Sequence, residues 1–191
     1  DCFFGLHFDL HPVAKDTVLG RDVTDAMVER LLSRVRPDFV QYDCKGHPGW
    51  MGYRSKVGSY PAGIVNDSLE VWRRGTARHG VALYIHFSGV YDMRAVELHP
   101  DWAVMHADGK RDKRITSTFG PYVHELMVPE LAEAITRYDL DGVWMDGECW
   151  AVKLDYSPAA AEAFRKSTGI ARLPVKAGEP GQVHNPEGHN Q

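Results

Sequence analysis

The sequence predicts an α/β fold of the (β/α)8-barrel type with parallel strands, of which it supplies the first four βα units. Three observations lead there. Four β-type runs alternate with helix-type patterns, which calls for parallel strands joined by right-handed crossovers. Successive strand residues point to opposite sides, and each run then sorts into an apolar side and a side turning polar toward its C-terminal end. A doubly wound sheet is covered on both faces and reads as near-continuous apolar runs, whereas a barrel gathers polar groups at the C-terminal mouth of its axial face. A closed barrel takes roughly 250 residues, so 191 residues with four units read as half of one.

The first strand is "CFFGLHFDL" (2–10), with Phe4, Leu6 and Phe8 opposed to Gly5, His7 and Asp9. "DVTDAMVERLLSRV" (22–35) follows as a helix, with an acidic start and apolar residues at helical spacing. The second strand, "PDFVQYDCK" (37–45), opens at Pro37 and sets Val40, Tyr42 and Cys44 against Gln41, Asp43 and Lys45. "NDSLEVWRRGTARHG" (66–80) is a helix stopped by Gly80. The third strand, "GVALYIHFSG" (80–89), opposes Leu83, Ile85 and Phe87 to Tyr84, His86 and Ser88. In "YVHELMVPELAEAITRY" (122–138), Pro129 either kinks a helix or opens its second half. The fourth strand, "DGVWMDGE" (141–148), opposes Val143 and Met145 to Trp144, Asp146 and Glu148. "SPAAAEAFRKSTG" (157–169) closes the series with Ser157 as N-cap, Pro158 in the first turn and Gly169 at the end. The expected domain runs over 1–170, with 171–191 an irregular tail or the start of the remaining half. The long segments 46–65 and 89–121 follow strand C-termini, where such folds place ligands, and read as functional or disordered loops.

Composition excludes several classes. A net charge of −4 with 25% charged residues gives no basic face for nucleic acid or an anionic membrane. No apolar run approaches the ~20 residues of a membrane span. Three cysteines at irregular spacing, Cys2, Cys44 and Cys149, form neither a disulfide framework nor a zinc ribbon. They lean weakly toward a reducing, cytoplasmic compartment. The N-terminus, without Met or a basic-then-apolar leader, gives no address. A homo-oligomer of the full-length protein stays open.

Chemistry gathers on the polar strand tips. Asp146, with Trp144 on its face and Trp150 nearby, suits a sugar site, because rings stack on sugars and a carboxylate stabilises or attacks an oxocarbenium-like centre. The competing reading is a turn Asp in "DG". Glu148, two residues on, is the nominee for the second carboxyl, with Gly147 free to redirect the chain. "HFDLH" places His7, Asp9 and His11 at alternate positions, a spacing open to a metal. Hydroxyl binding by His7 and Asp9 is the preferred reading, with no metal and no cofactor expected. "YDCKGHPGW" sends Asp43, Lys45 and His47 to the mouth beside Trp50, although Asp43 and Lys45 also fit an ordinary ion pair. Tyr84 and His86 lie on the polar face of the third strand, His86 at its tip.

The motifs "FGLHFDLHP", "DCKGHPGW" then "KVGSYP", "HGVALYIHFSG" then "HPDW", and "DGVWMDGE" occur in this order. Over residues 3–170 the chain resembles the hypothetical glycosyl hydrolase 6 family and, more loosely, the alpha-L-fucosidases. The resemblance implies a retaining exo-glycosidase with Asp146 as nucleophile, and a sugar subsite lined by His7, Lys45, His47, Trp50 and His86. In fuller relatives the barrel continues, often into a domain resembling the beta-galactosidase trimerisation domain. Two rivals remain at this stage: a metal-dependent hydrolase using His7, Asp9 and His11, and a non-catalytic carbohydrate-binding degenerate barrel.

Overall fold

The computed structural model describes residues 3–146 and 153–175. Four parallel strands form one sheet in the order β1 (Gly5–Phe8), β2 (Phe39–Lys45), β3 (Ala82–Ser88), β6 (Gly142–Asp146). The strands are those expected, in sequential order, as right-handed βα units place them. Between them run α1 (Asp25–Val35), α2 (Ser68–His79) and α4 (Val128–Tyr138), with α5 (Pro158–Thr168) following β6.

The helix starts are fixed by short polar side chains, which satisfy amide groups that the first turn leaves unpaired. Thr24, Asp67 and Ser157 accept from the amides of Met27, Glu70 and Ala160. Gly80 and Gly169 end α2 and α5 in the left-handed region, at φ 64° and 72°. Before Pro129 the chain makes a π-helical turn, Val123–Met127, so the proline opens the second half of a continuous helical segment.

One face of the sheet meets the helices. Val40, Tyr42, Cys44, Leu83, Ile85 and Phe87 join Val28, Leu32, Leu69, Trp72 and Tyr138 in a single core, with Leu6, Phe8, Val143 and Met145 packed against it. This is the apolar side read from the alternation. The other face looks toward the barrel axis. Its lower part is aromatic: the Phe39 ring lies over Gly5 and the Tyr84 ring over Gly142, edge to face with each other at 5.6 Å.

Both long segments fold rather than dangle. Segment 46–65 turns back on the helices, burying Met51 and Tyr53 completely. It is tied to α4 by Glu133, whose carboxylate accepts from Ser55 Oγ, Tyr53 OH and the Lys56 amide. Segment 89–121 holds α3 (Met93–Leu98), a 3-10 turn (Pro100–Trp102) and an antiparallel pair, β4 (Ala103–Met105) and β5 (Arg111–Thr116). Asp108-Gly109 between those strands is a hairpin signal that the sequence reading passed over.

The Glu133 anchor carries a stability prediction. Burial pushes its carboxyl up, but hydrogen bonds from Ser55, Lys56 and Tyr53 and the charge of Arg137 outweigh it and hold the group below the ordinary glutamate value of 4.5. A carboxyl held low in the folded state contributes stability above its unfolded value, and that stability is lost as pH falls through the folded value. Glu133→Ala should therefore cost about 1.5–3 kcal/mol at neutral pH, the range for hydrogen bonds to a charged group. The cost should shrink as pH drops below 4.5. Urea unfolding of both proteins across that window reads it; a cost constant with pH would refute the assignment.

Candidate active site

At the C-terminal end of the axial face the polar strand tips converge. Asp43 pairs across with His86, His86 with Trp144, and Ser88 with Asp146. His86 is fully buried between two carboxylates, its Nδ1 3.1 Å from Asp43 Oδ1 and its Nε2 3.1 Å from Asp146 Oδ2. Burial opposes its protonation, but the hydrogen bonds and charges of Asp43 and Asp146, with Asp9 further off, raise its pKa above the ordinary value. The ring bridges the two carboxylates and fixes Asp146 Oδ2. Oδ1 of Asp146 has no hydrogen-bond partner among the described residues.

Asp43 also organises the loop after β1. Its Oδ2 accepts from the Leu10 amide at 2.7 Å and from the His11 amide. These bonds hold His11 in the left-handed region, at φ 46°, a conformation costing about 1–2 kcal/mol for a residue with a Cβ. The His11 ring stacks on His86, 5.5 Å between centroids and 8° from parallel, and packs on Gly46, where any Cβ would strike it. Its Nε2 is buried and 2.6 Å from Asp9 Oδ1, yet makes no hydrogen bond.

His47 completes the group. Its Nδ1 is 2.6 Å from Ser88 Oγ and its Nε2 3.4 Å from Asp146 Oδ2. Burial, aided by the neighbouring His11 and His86, lowers its pKa against the pull of Asp146. Trp144 stands 44% exposed on the axial face, its ring 5.2 Å from that of His86 and edge-on to His7 at 5.1 Å. His7 Nδ1 meets Gln41 Oε1 at 2.9 Å.

The structure thus brings together Asp9, Asp43, His47, His86, Trp144 and Asp146 of the residues read from sequence, with His11, which the sequence offered only as a metal ligand, and adds Ser88. His7 lies at the edge of the group, one row lower. Glu148 and Trp150 fall outside the described residues. Trp50 belongs to an adjoining groove of about 480 Å³ with Pro48 and Met93, its ring capped by the Arg94 guanidinium at 4.8 Å.

Two expected residues lie elsewhere. Tyr84 is four residues before Ser88 on its strand, hence about 13 Å below the level of Asp146, and forms the aromatic floor. Lys45 is on the opposite face. A β-bulge at Cys44, with Asp43 opposite His86 and Lys45 opposite Phe87, adds a residue and reverses the side on which Lys45 emerges. Its ammonium is fully buried against the Phe87 ring and bonded to Asp92 (2.8 Å), Glu130 (2.7 Å) and Tyr122 OH (3.2 Å). The metal triple of His7, Asp9 and His11 is also not assembled, since His7 turns to Gln41. Among the described residues, the metal-capable groups are Asp9, His11, Asp43 and His86, and His11, His47 and Asp146.

Comparison with known proteins bears on the fold. No family model matches the sequence, and no curated protein does. Among solved structures, alpha-L-fucosidase isoenzyme 2 from Paenibacillus thiaminolyticus matches 88% of this chain at TM-score 0.72 and 18% identity. The beta-galactosidase of Marinomonas ef1 matches 88% at TM-score 0.55 and 17% identity, and the maltogenic alpha-amylase AmyB of Thermotoga neapolitana 87% at 0.51 and 13%. The fold is part of a (β/α)8-type barrel. The chain spans only 26% of the fucosidase, 26% of the galactosidase and 43% of the amylase.

Proposed function

We propose that the protein acts as a retaining glycoside hydrolase on a terminal, fucose-like sugar, with Asp146 as nucleophile. The reading rests chiefly on one observation: a strand-tip carboxylate on the axial face, fixed through one oxygen by a buried histidine bridged to Asp43. A nucleophile must be ionised, oriented and able to present a lone pair. His86 sets its angle through Oδ2, and Oδ1 is the attacking atom.

In the first step Oδ1 bonds to the anomeric carbon as the bond to the leaving oxygen breaks, with a general acid supplying that oxygen's proton. Water then cleaves the glycosyl ester, giving back the carboxylate and retaining the configuration. Retention requires a second carboxyl about 5–5.5 Å away, for which Glu148 is the nominee. Trp144 offers the apolar surface a sugar face stacks on. The fucosidase fold match and the "DCKGHPGW" and "DGVWMDGE" motifs support the fucose-like assignment and kinship with the hypothetical glycosyl hydrolase 6 family.

The test is covalent trapping. A panel of aryl glycosides on the full-length gene product identifies the sugar turned over. The matching 2-deoxy-2-fluoro glycosyl fluoride should then inactivate the protein with one sugar attached to the peptide carrying Asp146. Label on another carboxylate, or hydrolysis with inversion, would overturn the assignment.

A further inference from the structure

The hydrogen-bond pattern around His47 has a second consequence. Ser88 Oγ lies 2.8 Å from the Tyr91 carbonyl and 2.6 Å from His47 Nδ1. A carbonyl only accepts, so the single hydroxyl proton goes to Tyr91 and the serine oxygen accepts from His47 Nδ1–H. The neutral ring then carries its lone pair on Nε2, which points at a carboxylate oxygen 3.4 Å away. The two are acceptors of the kind that a shared cation joins. A shared proton would draw them to about 2.7–2.9 Å, the span of a charge-assisted bond.

The observed separation fits a different bridge. Zinc-type cations sit about 2.0–2.2 Å from nitrogen and oxygen ligands in a tetrahedron, whose edges are therefore about 3.3–3.5 Å. A third donor is at hand. His11 Nε2 is buried and makes no hydrogen bond, and one donor atom each from His11, His47 and Asp146 lie within 4.8 Å of one another. Two imidazoles and a carboxylate with a fourth position open to water form a donor set suited to zinc and its neighbours. The ring of His11 is held on both sides, by His86 and Gly46, so the site needs little ordering on binding.

We infer that His11, His47 and Asp146 form a site for a divalent transition cation of the zinc type at the barrel mouth. The donor set differs from the His7, Asp9 and His11 triple that the sequence spacing offers. Because the cation draws on the charge of the carboxylate that attacks the sugar, the occupied protein is a blocked glycosidase, and removing the ion frees the carboxylate. The inhibition rests on the glycosidase reading; the binding does not.

Cobalt(II) chloride is the probe. Titrated into the purified, metal-stripped protein, it should give a visible d–d band of four-coordinate intensity saturating at one equivalent, with a rise in melting temperature. His47→Ala and His11→Ala should each weaken binding at least about tenfold, while the remote His79→Ala leaves it unchanged. Melting curves without cobalt confirm that each variant folds. A weak six-coordinate spectrum, or saturation indifferent to His11 and His47, overturns the inference. The two readings separate cleanly. A protein that hydrolyses aryl glycosides but takes up no cobalt refutes the cation site alone. One that takes up cobalt through these residues but turns over no glycoside and traps no fluorosugar refutes the glycosidase alone.

Discussion

Asp146→Ala is expected to lower aryl-glycoside hydrolysis by the full-length protein about 10⁴-fold, the order seen when one member of a hydrolase's catalytic group is removed. The loss should fall on kcat rather than KM, because the carboxylate forms its bond only on the way to the transition state. Its neighbours stay in place without it: His86 keeps Asp43, and His47 keeps Ser88. The alanine leaves a small gap facing the anomeric carbon, and added azide should enter it. Azide would restore turnover and yield a glycosyl azide of inverted configuration, since the anion attacks from the side the carboxylate occupied. A variant with unimpaired turnover removes Asp146 from the mechanism.

Lys45→Met is expected to cost 3–5 kcal/mol of folding stability, the range for breaking a buried ion pair by deleting one partner. The wild-type ammonium sits between Asp92 and Glu130 with no exposure, and methionine would leave both carboxylates without their counter-charge. Burial already raises the Glu130 pKa, with Lys45 opposing. Without the lysine it should rise further. A carboxyl whose folded pKa exceeds its unfolded value binds its proton more tightly when folded, so the deficit should shrink as pH falls toward that value. Denaturant unfolding at neutral and mildly acidic pH measures both quantities. A cost below about 1 kcal/mol would mean that the pair is no better than a surface bridge. The network also braces the mouth: Asp92 caps α3 through the Ala95 amide, and the next residue, Met93, donates to the His47 carbonyl.

The strands and their two faces were legible because period-2 alternation acts locally. Val40 and Tyr42 face the helices, Asp43 and His86 the axis, and the core is the one the pattern describes. Lys45 was misplaced by the same rule. A bulge is a property of two strands in register, and nothing in "DCKG" announces it. The spacing offered His11 only as a metal ligand beside His7 and Asp9; Asp43, 32 positions away, gives it a fixed orientation. Segment 89–121 hid a hairpin because β4 has only three residues and β5 is mostly charged, although Asp108-Gly109 marked the turn. The pairing of His47 with Ser88 joins two strand ends and has no signature in either.

The bulge at Cys44 also makes chain length a determinant of site charge. A regular strand of the same length would place Cys44 opposite Phe87 and turn the Lys45 ammonium to the axial side, leaving Asp92 and Glu130 behind the sheet without their counter-ion. Deleting Cys44 would instead leave Asp43 opposite His86 and Lys45 opposite Phe87, each on its present side. A related chain can therefore keep both faces without the extra residue, provided that its lysine directly follows the aspartate.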